Sequence, residues 1–383
     1  MALYLTSKNK NIAIIDPDGS VRSATTIIEI IKKLERSGYQ CDIYTPRRYH
    51  SSIEVSENIF ICPRNFPRAL IPNRDFFRGV RDWMESLLGF TQTYSMRYRY
   101  AIGVNPEGIV LADKKFNFDG LIYLSFELFS ENDTSSQLFK NLKKLERKAS
   151  QNACLIVSQD STREAFLRKN LGLLSTPFVN FPVAPSTISI DRLRLPPNIK
   201  GTVNVVISGS ISAFTRAELI MASVSDWPCN FTLTVNSNSN FSTGLSAAPR
   251  IDNIEFTEGN LSEDDYVQLL DRMDIGIVGY APITGFNPFL MTNIELMGLS
   301  SGKLGIYTRS GLPIVLIGYP FPDNLLSEYD FAISINDESQ LPDALEGLVA
   351  NYSHHASESR RFFDEVLNFD NHWPEFLGAL KIE

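Results

Sequence analysis

Ser300-Ser301-Gly302-Lys303 follows a strand candidate that ends near Tyr280 and precedes another at residues 314–316, so it reads as the opening of a helix. A helix start offers backbone N–H groups without intrahelical acceptors and the positive end of the helix dipole, a pairing suited to phosphate. Ser300 and Ser301 add hydroxyls, Gly302 lets backbone approach closely, and Lys303 adds a full positive charge. The same four residues also fit an ordinary serine N-cap followed by a solvated lysine. A second cation, Arg216, stands seven residues after Gly209 at the start of another helical pattern, where a solvated helix-start arginine is the plain alternative.

Carboxylates collect after strand candidates of the amino-terminal half. Asp16-Pro17-Asp18-Gly19 follows the first of them directly and has the composition of a turn. Glu107 starts a helix after the candidate at 100–104, and Glu127 lies just beyond the one at 120–124. His50, His354, His355 and His372 have no metal-ligand spacing, and Cys41, Cys62, Cys154 and Cys229 are too scattered for a zinc motif or a disulfide framework.

The elements that must carry these residues alternate. Apolar runs at 11–15, 41–45, 59–62, 100–104, 120–124, 154–157 and 178–181 read as strands, with helical patterns at 23–37, 135–150 and 161–169. Residues 182–200 hold four prolines and no sustained period, which marks a linker. The pattern restarts with strands at 203–207, 231–235, 254–257, 275–278, 314–316 and 332–335, and helices at 216–224 and 262–273. Such alternation builds two α/β, Rossmann-like, doubly wound parallel sheets. The domains expected are 1–185, a linker at 186–200, 201–355, and carboxyl-terminal helices at 356–383 packing back on the first domain. Ligands of open α/β sheets bind at the carboxyl ends of strands.

Over Asp274-Ile-Gly-Ile-Val-Gly-Tyr280, Gly298-Leu-Ser-Ser-Gly-Lys-Leu304 and Gly311-Leu-Pro-Ile-Val315, the chain resembles nucleotide-sugar glycosyltransferases of GT-B fold. The likeness is to the family-4-like enzymes of surface polysaccharide biosynthesis. Weaker matches occur at 102–108, 123–128, 145–147 and 206–210, so both halves are sampled. The resemblance implies two domains facing across a cleft and a donor diphosphate beside Ser300, Ser301, Gly302 and Lys303. It adds Tyr280, Asn293 and Leu304 to the donor-side candidates. Relatives carry an arginine just after the glycine of the first second-domain strand and a lysine several residues on. Here the first place is Ser210, after Gly209, and Arg216 sits close to the second. The commoner family pattern of two glutamates seven residues apart is not kept, since the second glutamate's place falls near Ile306. A carboxylate clamp on the donor ribose is therefore open.

The implied reaction passes a sugar from a nucleotide-diphosphate sugar to a glycan, lipid-linked or other acceptor, with retention and without metal. Breaking the sugar–phosphate bond puts charge on the departing diphosphate, which Lys303, Arg216 and a helix end could stabilise. Glu127 is the first choice of base should the reaction invert, with a hinge carboxylate as its alternative reading. Asp18, Gly19, Arg22 and Glu107 are further acceptor-side candidates. The Asp16-Pro17-Asp18 triplet resembles the metal-holding Asp-x-Asp of another glycosyltransferase class, but its turn composition favours the bland reading, and no cofactor is expected.

Charge and hydropathy bound the partners. The net charge is -8, yet residues 1–150 carry 22 Lys+Arg against 17 Asp+Glu. An acidic whole with no reading motif argues against nucleic acid, while a basic half suits a phosphorylated or membrane-bound acceptor. No apolar run approaches the roughly 18 residues of a bilayer span, and the expectation is a cytoplasmic protein. Phe76, Phe77, Val80, Trp83, Met84, Leu87 and Leu88, interleaved with Arg74, Arg78 and Arg81, fit either a core-facing helix or a peripheral membrane contact. Two other functions share this architecture: a sugar-nucleotide epimerase, disfavoured by the scarcity of histidine, and a non-catalytic subunit that binds a partner or glycan.

Overall fold

A computed structural model of the chain describes residues 10–22, 24–46, 53, 56, 58–61, 96–187, 201–237, 253–258, 261–281 and 289–380. The apolar helical pattern at 76–88 and residues 188–200 of the expected linker lie outside them.

The chain divides into two compact units, residues 1–181 with 372–383, and residues 182–371. In the first, β1 (Asn11–Ile15), β2 (Gln40–Thr45), β3 (Ile59–Ile61), β4 (Arg97–Val104), β5 (Asn117–Leu124), β6 (Leu155–Ser158) and β7 (Phe178–Asn180) form one sheet. Their order is β3-β2-β1-β4-β5-β6-β7 and every pairing is parallel. The helix Thr25–Arg36 buries Ile27, Ile30, Ile31 and Leu34, the 3,4-spaced stripe that identified it in the sequence. The helix Ser161–Leu171 is capped at both ends, by the Asp160 carboxylate accepting from Arg163 N at 2.9 Å and by Gly172 at φ 68°.

The second unit holds β8 (Val203–Ser208), β9 (Phe231–Ser237), β10 (Ile254–Glu258), β11 (Ile275–Gly279), β12 (Ile314–Ile317) and β13 (Ala332–Ile335). Their order is β10-β9-β8-β11-β12-β13, again all parallel. Each of the thirteen strand candidates read from the sequence is present. β4 and β5 begin three residues earlier than their apolar runs because the pairing extends through Arg97–Asn117 and Tyr98–Phe118. The helices Phe289–Glu295, Asp323–Tyr329 and Leu341–Ala350 were not anticipated, and Tyr352–Phe362 begins four residues before the carboxyl-terminal helices expected at 356–383.

The tail differs from the expected division. Phe362 and Phe363 belong to the core of the second unit, with Phe362 stacked on Phe331 at 4.5 Å between centroids. The chain joins the first unit only from His372, where Phe376 meets Phe181 at 6.0 Å and Tyr100 Oη donates to Leu380 O at 2.5 Å. Among the described residues no helix is long and apolar enough to cross a membrane.

In each sheet the strand order reverses at one point, between β1 and β4 and between β8 and β11. Crossovers leave the sheet in opposite directions there and open a crevice beyond the strand ends.

Candidate functional site

Beyond β8 and β11 the second unit has a shallow recess, open to solvent, lined by Ser208, Gly209, Ser210, Thr215, Asn236 and Lys303 among others. Gly209 follows β8 at φ 95°, a left-handed conformation that favours glycine. A Cβ placed there would stand 3.2 Å from Lys303 Cε, so the bare backbone is also what lets the lysine lie across the turn. Lys303 comes from the first turn of the helix Gly302–Arg309. Its ammonium lies 5.4 Å from the centroid of the Tyr280 ring and has no ion-pair partner among the described residues. It is half-buried, and burial pulls its pKa from 10.5 down to about 8. Among the described residues that line the recess it is the one ionisable side chain.

Tyr280, just after β11, supports this lysine and is itself fixed by a 3.2 Å hydrogen bond between its hydroxyl and Ser301 Oγ. Behind the recess Tyr266 donates to Ser208 Oγ at 2.6 Å, and Ser208 shares a 2.9 Å bond with Tyr307. Ser208 is thereby tied to the buried Tyr307 and the half-buried Tyr266. Asn236 donates to Thr257 Oγ1 at 2.9 Å, which fixes the wall on the β9 side.

The sequence candidates separate into two groups here. Gly209, Ser210 and Lys303 line the recess, with Tyr280 under the lysine. Ser300, Ser301, Gly302 and Leu304 support it instead. Ser300 Oγ donates to Met297 O at 2.5 Å, and Ser301 is buried against Tyr280. A Cβ on Gly302 would lie 3.7 Å from Val183, and Leu304 is fully buried in the core. The helix therefore packs one side on the segment after Pro182 and turns Lys303 toward Gly209. The first-turn N–H groups of this helix have no acceptor within the helix, and Ser301 gives them no side-chain cap. Asn293 is half-buried on the helix Phe289–Glu295. Arg216 sits at φ 56° between Thr215 and Ala217, two residues of the lining, but its guanidinium donates to both oxygens of Glu338 at 2.6 and 2.7 Å. That pairing raises its pKa further. Thr215, Asn236 and Glu338 went unread in the sequence. The first two occupy a post-strand turn and a strand end, a position that could have flagged them.

In the first unit Asp16, Asp18 and Gly19 follow β1, Glu107 follows β4 and Glu127 follows β5, at the same end of three neighbouring strands. Asp16-Pro17-Asp18-Gly19 is a turn, with Gly19 N donating to Asp16 O at 3.4 Å. Asp16, unmarked as a site residue by the sequence, is fully buried and accepts from Val21 N at 2.7 Å through Oδ2, while Oδ1 has no partner. Burial drives its pKa from 3.8 up to about 6, against backbone donors that pull it down. Arg22 ends the short 3-10 turn Ser20–Arg22, and its side chain is outside the described residues. Glu107 is half-buried in the first turn of the helix Asn105–Lys115.

Glu127 is held by its backbone. Asn105, at φ 61°, accepts from Phe126 N and Glu127 N, both at 3.1 Å. The buried Arg163 donates to Phe126 O at 2.6 Å, and Gln159 donates to Ser125 O at 2.9 Å. The whole segment after β5 is thus pinned with the half-buried Glu127 side chain at its end. Asn105 was not singled out in the sequence, although an asparagine directly after a strand can adopt the left-handed conformation seen here.

Neither a family model nor a curated protein matches the chain. Solved structures do. The sucrose-phosphate synthase of Thermosynechococcus elongatus aligns with a TM-score of 0.66 at 14% identity over 97% of this chain and 98% of its own. HepE of Anabaena, in complex with UDP-glucose, gives 0.63 at 11% over 97% and 99%. WaaG, a glycosyltransferase of lipopolysaccharide biosynthesis, gives 0.60 at 13% over 96% and 99%. The chain has the GT-B fold these glycosyltransferases share.

Proposed function

We propose that the chain is a glycosyltransferase that binds a nucleoside-diphosphate sugar in the recess of its second unit and passes the sugar to a glycan or lipid-linked acceptor. One observation carries this reading: Lys303 is a half-buried cation beside a glycine turn, and among the described residues it has no ion-pair partner and the recess is lined by no carboxylate. Desolvating an ammonium without an anion is unfavourable, and a bound diphosphate supplies what is lacking. The UDP-glucose held by HepE, a structural neighbour over nearly the full chain, supports the same ligand class.

The reaction follows from the charges. As the bond from the sugar's anomeric carbon to the diphosphate oxygen breaks, an electron pair stays on the diphosphate, and Lys303 and the helix-start N–H groups stabilise it. The acceptor oxygen bonds to the anomeric carbon and its proton passes to the departing diphosphate. This route retains configuration and calls for neither metal nor dedicated base. The strand ends of the first unit, with Asp18, Gly19, Glu107 and the Glu127 segment held by Asn105, are assigned to the acceptor. Arg216 we assign to holding the wall of the recess through Glu338.

A thermal-shift panel of nucleoside diphosphates and their sugars tests the proposal. A ligand at about 100 times its dissociation constant adds about 2.7 kcal/mol of stability, read as a higher Tm. A panel in which every diphosphate leaves the Tm unmoved would refute it.

A further inference from the structure

Asp330, His354 and His355 bring a carboxylate and two imidazoles together, their ligand atoms all within 4.8 Å of one another. His354 Nε2 lies 2.9 Å from Asp330 Oδ2, and His355 Nδ1 lies 3.9 Å from Asp330 Oδ1. The histidines are neighbours in the first turns of the helix Tyr352–Phe362, while Asp330 ends the helix Asp323–Tyr329 just before β13. The cluster is therefore at the amino end of that strand, opposite the strand ends that form the recess.

Asp330 is an unexpected residue for its place. It caps its helix at φ 41° and ψ 36°, the left-handed conformation usually given to glycine or asparagine. Its carboxylate also stands at the negative end of the helix dipole, where a cation is favoured instead. His354 and Asp330 are exposed, so water and ions reach the cluster, whereas His355 is almost buried and held by a 2.6 Å bond from Nδ1 to Asp330 O.

We propose that these three side chains form a binding site for a divalent transition metal of the zinc class, which clips the turn before β13 to the start of the helix Tyr352–Phe362. Two imidazoles and a carboxylate are ligands such ions take, with bonds of roughly 2.0–2.2 Å that place donors roughly 3.3 Å apart in a tetrahedron. Rotations about the exposed His354 and Asp330 side chains bring the present spacings to that value. At His355 the proton shifts to Nε2, and the Nδ1 lone pair turns from the Asp330 carbonyl to the ion. Water completes the shell. The ion neutralises the carboxylate at the helix end and ties together segments 24 residues apart.

Calorimetric titration of the chelator-treated full chain with zinc chloride tests this, beside His354→Ala and Asp330→Gly, the latter chosen because glycine suits the backbone at 330. The expected result is one zinc per chain in the wild type, a raised Tm on binding, at least tenfold weaker binding in both variants, and no response to magnesium. Absence of stoichiometric zinc binding, or equal affinity in the wild type and both variants, would overturn the proposal. Nucleotide binding does not enter the readout, so this result stands apart from that of the transfer reaction.

Discussion

Arg216 and Glu338 are joined by two N–H···O bonds, Nε to Oε1 at 2.6 Å and Nη2 to Oε2 at 2.7 Å, with both side chains largely buried. A guanidinium held this way has given its planar fork to a carboxylate and has little left for a ligand. Arg216→Ala leaves Glu338 without its partner and is expected to lower stability by on the order of 2 kcal/mol. Affinity for a nucleoside diphosphate should fall less than tenfold. Urea denaturation and calorimetry separate the two effects; a large loss of affinity at unchanged stability would show Arg216 donating to the ligand.

Lys303 has a pKa lowered from 10.5 to about 8 by burial. The sign follows from proton counts. Between about pH 8 and 10.5 the unfolded chain binds a proton at this lysine that the folded one releases, so the free protein gains stability from this group as pH rises through that window. A diphosphate favours the charged form and reverses the release. Binding at pH 8 is expected to take up about half a proton, seen as a dependence of the calorimetric heat on the ionisation enthalpy of the buffer. Lys303→Met should abolish that uptake.

Asp16 shifts the other way along the scale, from 3.8 to about 6, because it is buried. Between about pH 4 and 6 the folded state holds a proton that the unfolded state has lost, so the contribution of Asp16 to stability falls as pH rises through that window and is flat above it. Asp16→Asn keeps an acceptor for Val21 N and removes the charge. It is expected to raise stability at pH 7 by on the order of 2 kcal/mol and to change little at pH 4. Urea melts at the two pH values check this, and an equal gain at both would contradict it.

Much of the fold could be read in advance because central parallel strands buried on both faces, such as β1, β6, β11 and β12, appear as short apolar runs. The helices from Phe289 onward were harder. Asp323–Tyr329 is seven residues long with only Tyr329 buried, too short to show a period. Tyr352–Phe362 buries His355 and Ser359 beside its apolar residues, so its inner face is not apolar in sequence and its start, before residue 356, was not legible. Lys303 was legible from its Ser-Ser-Gly-Lys setting. That both serine hydroxyls turn to Met297 and Tyr280 was not, because a hydroxyl's partner is settled by packing across residues distant in sequence. Asn105, Asp16 and Glu338 were missed for the same reason: each acts through residues from another element or through burial.

Glu127 and Asn105 should behave as a unit in catalysis. In a retaining reaction that needs no ionised base, Glu127→Gln is expected to lower kcat about tenfold without abolishing it. Asn105→Gly preserves the left-handed backbone but releases the Glu127 segment, and should lower kcat to a similar extent. The double variant should be no worse than either alone. Steady-state rates for the four proteins decide this. Abolition by Glu127→Gln would instead make Glu127 the base of an inverting reaction, and fully additive losses would dissolve the unit.

The central claim is that the Lys303 ammonium meets a diphosphate. Its most direct test is calorimetric titration of the wild type and Lys303→Met with a nucleoside, its monophosphate and its diphosphate at pH 7. The account predicts that the substitution weakens the diphosphate at least tenfold, about 1.4 kcal/mol, while leaving the nucleoside within about twofold. Equal diphosphate affinity in the two proteins would contradict it.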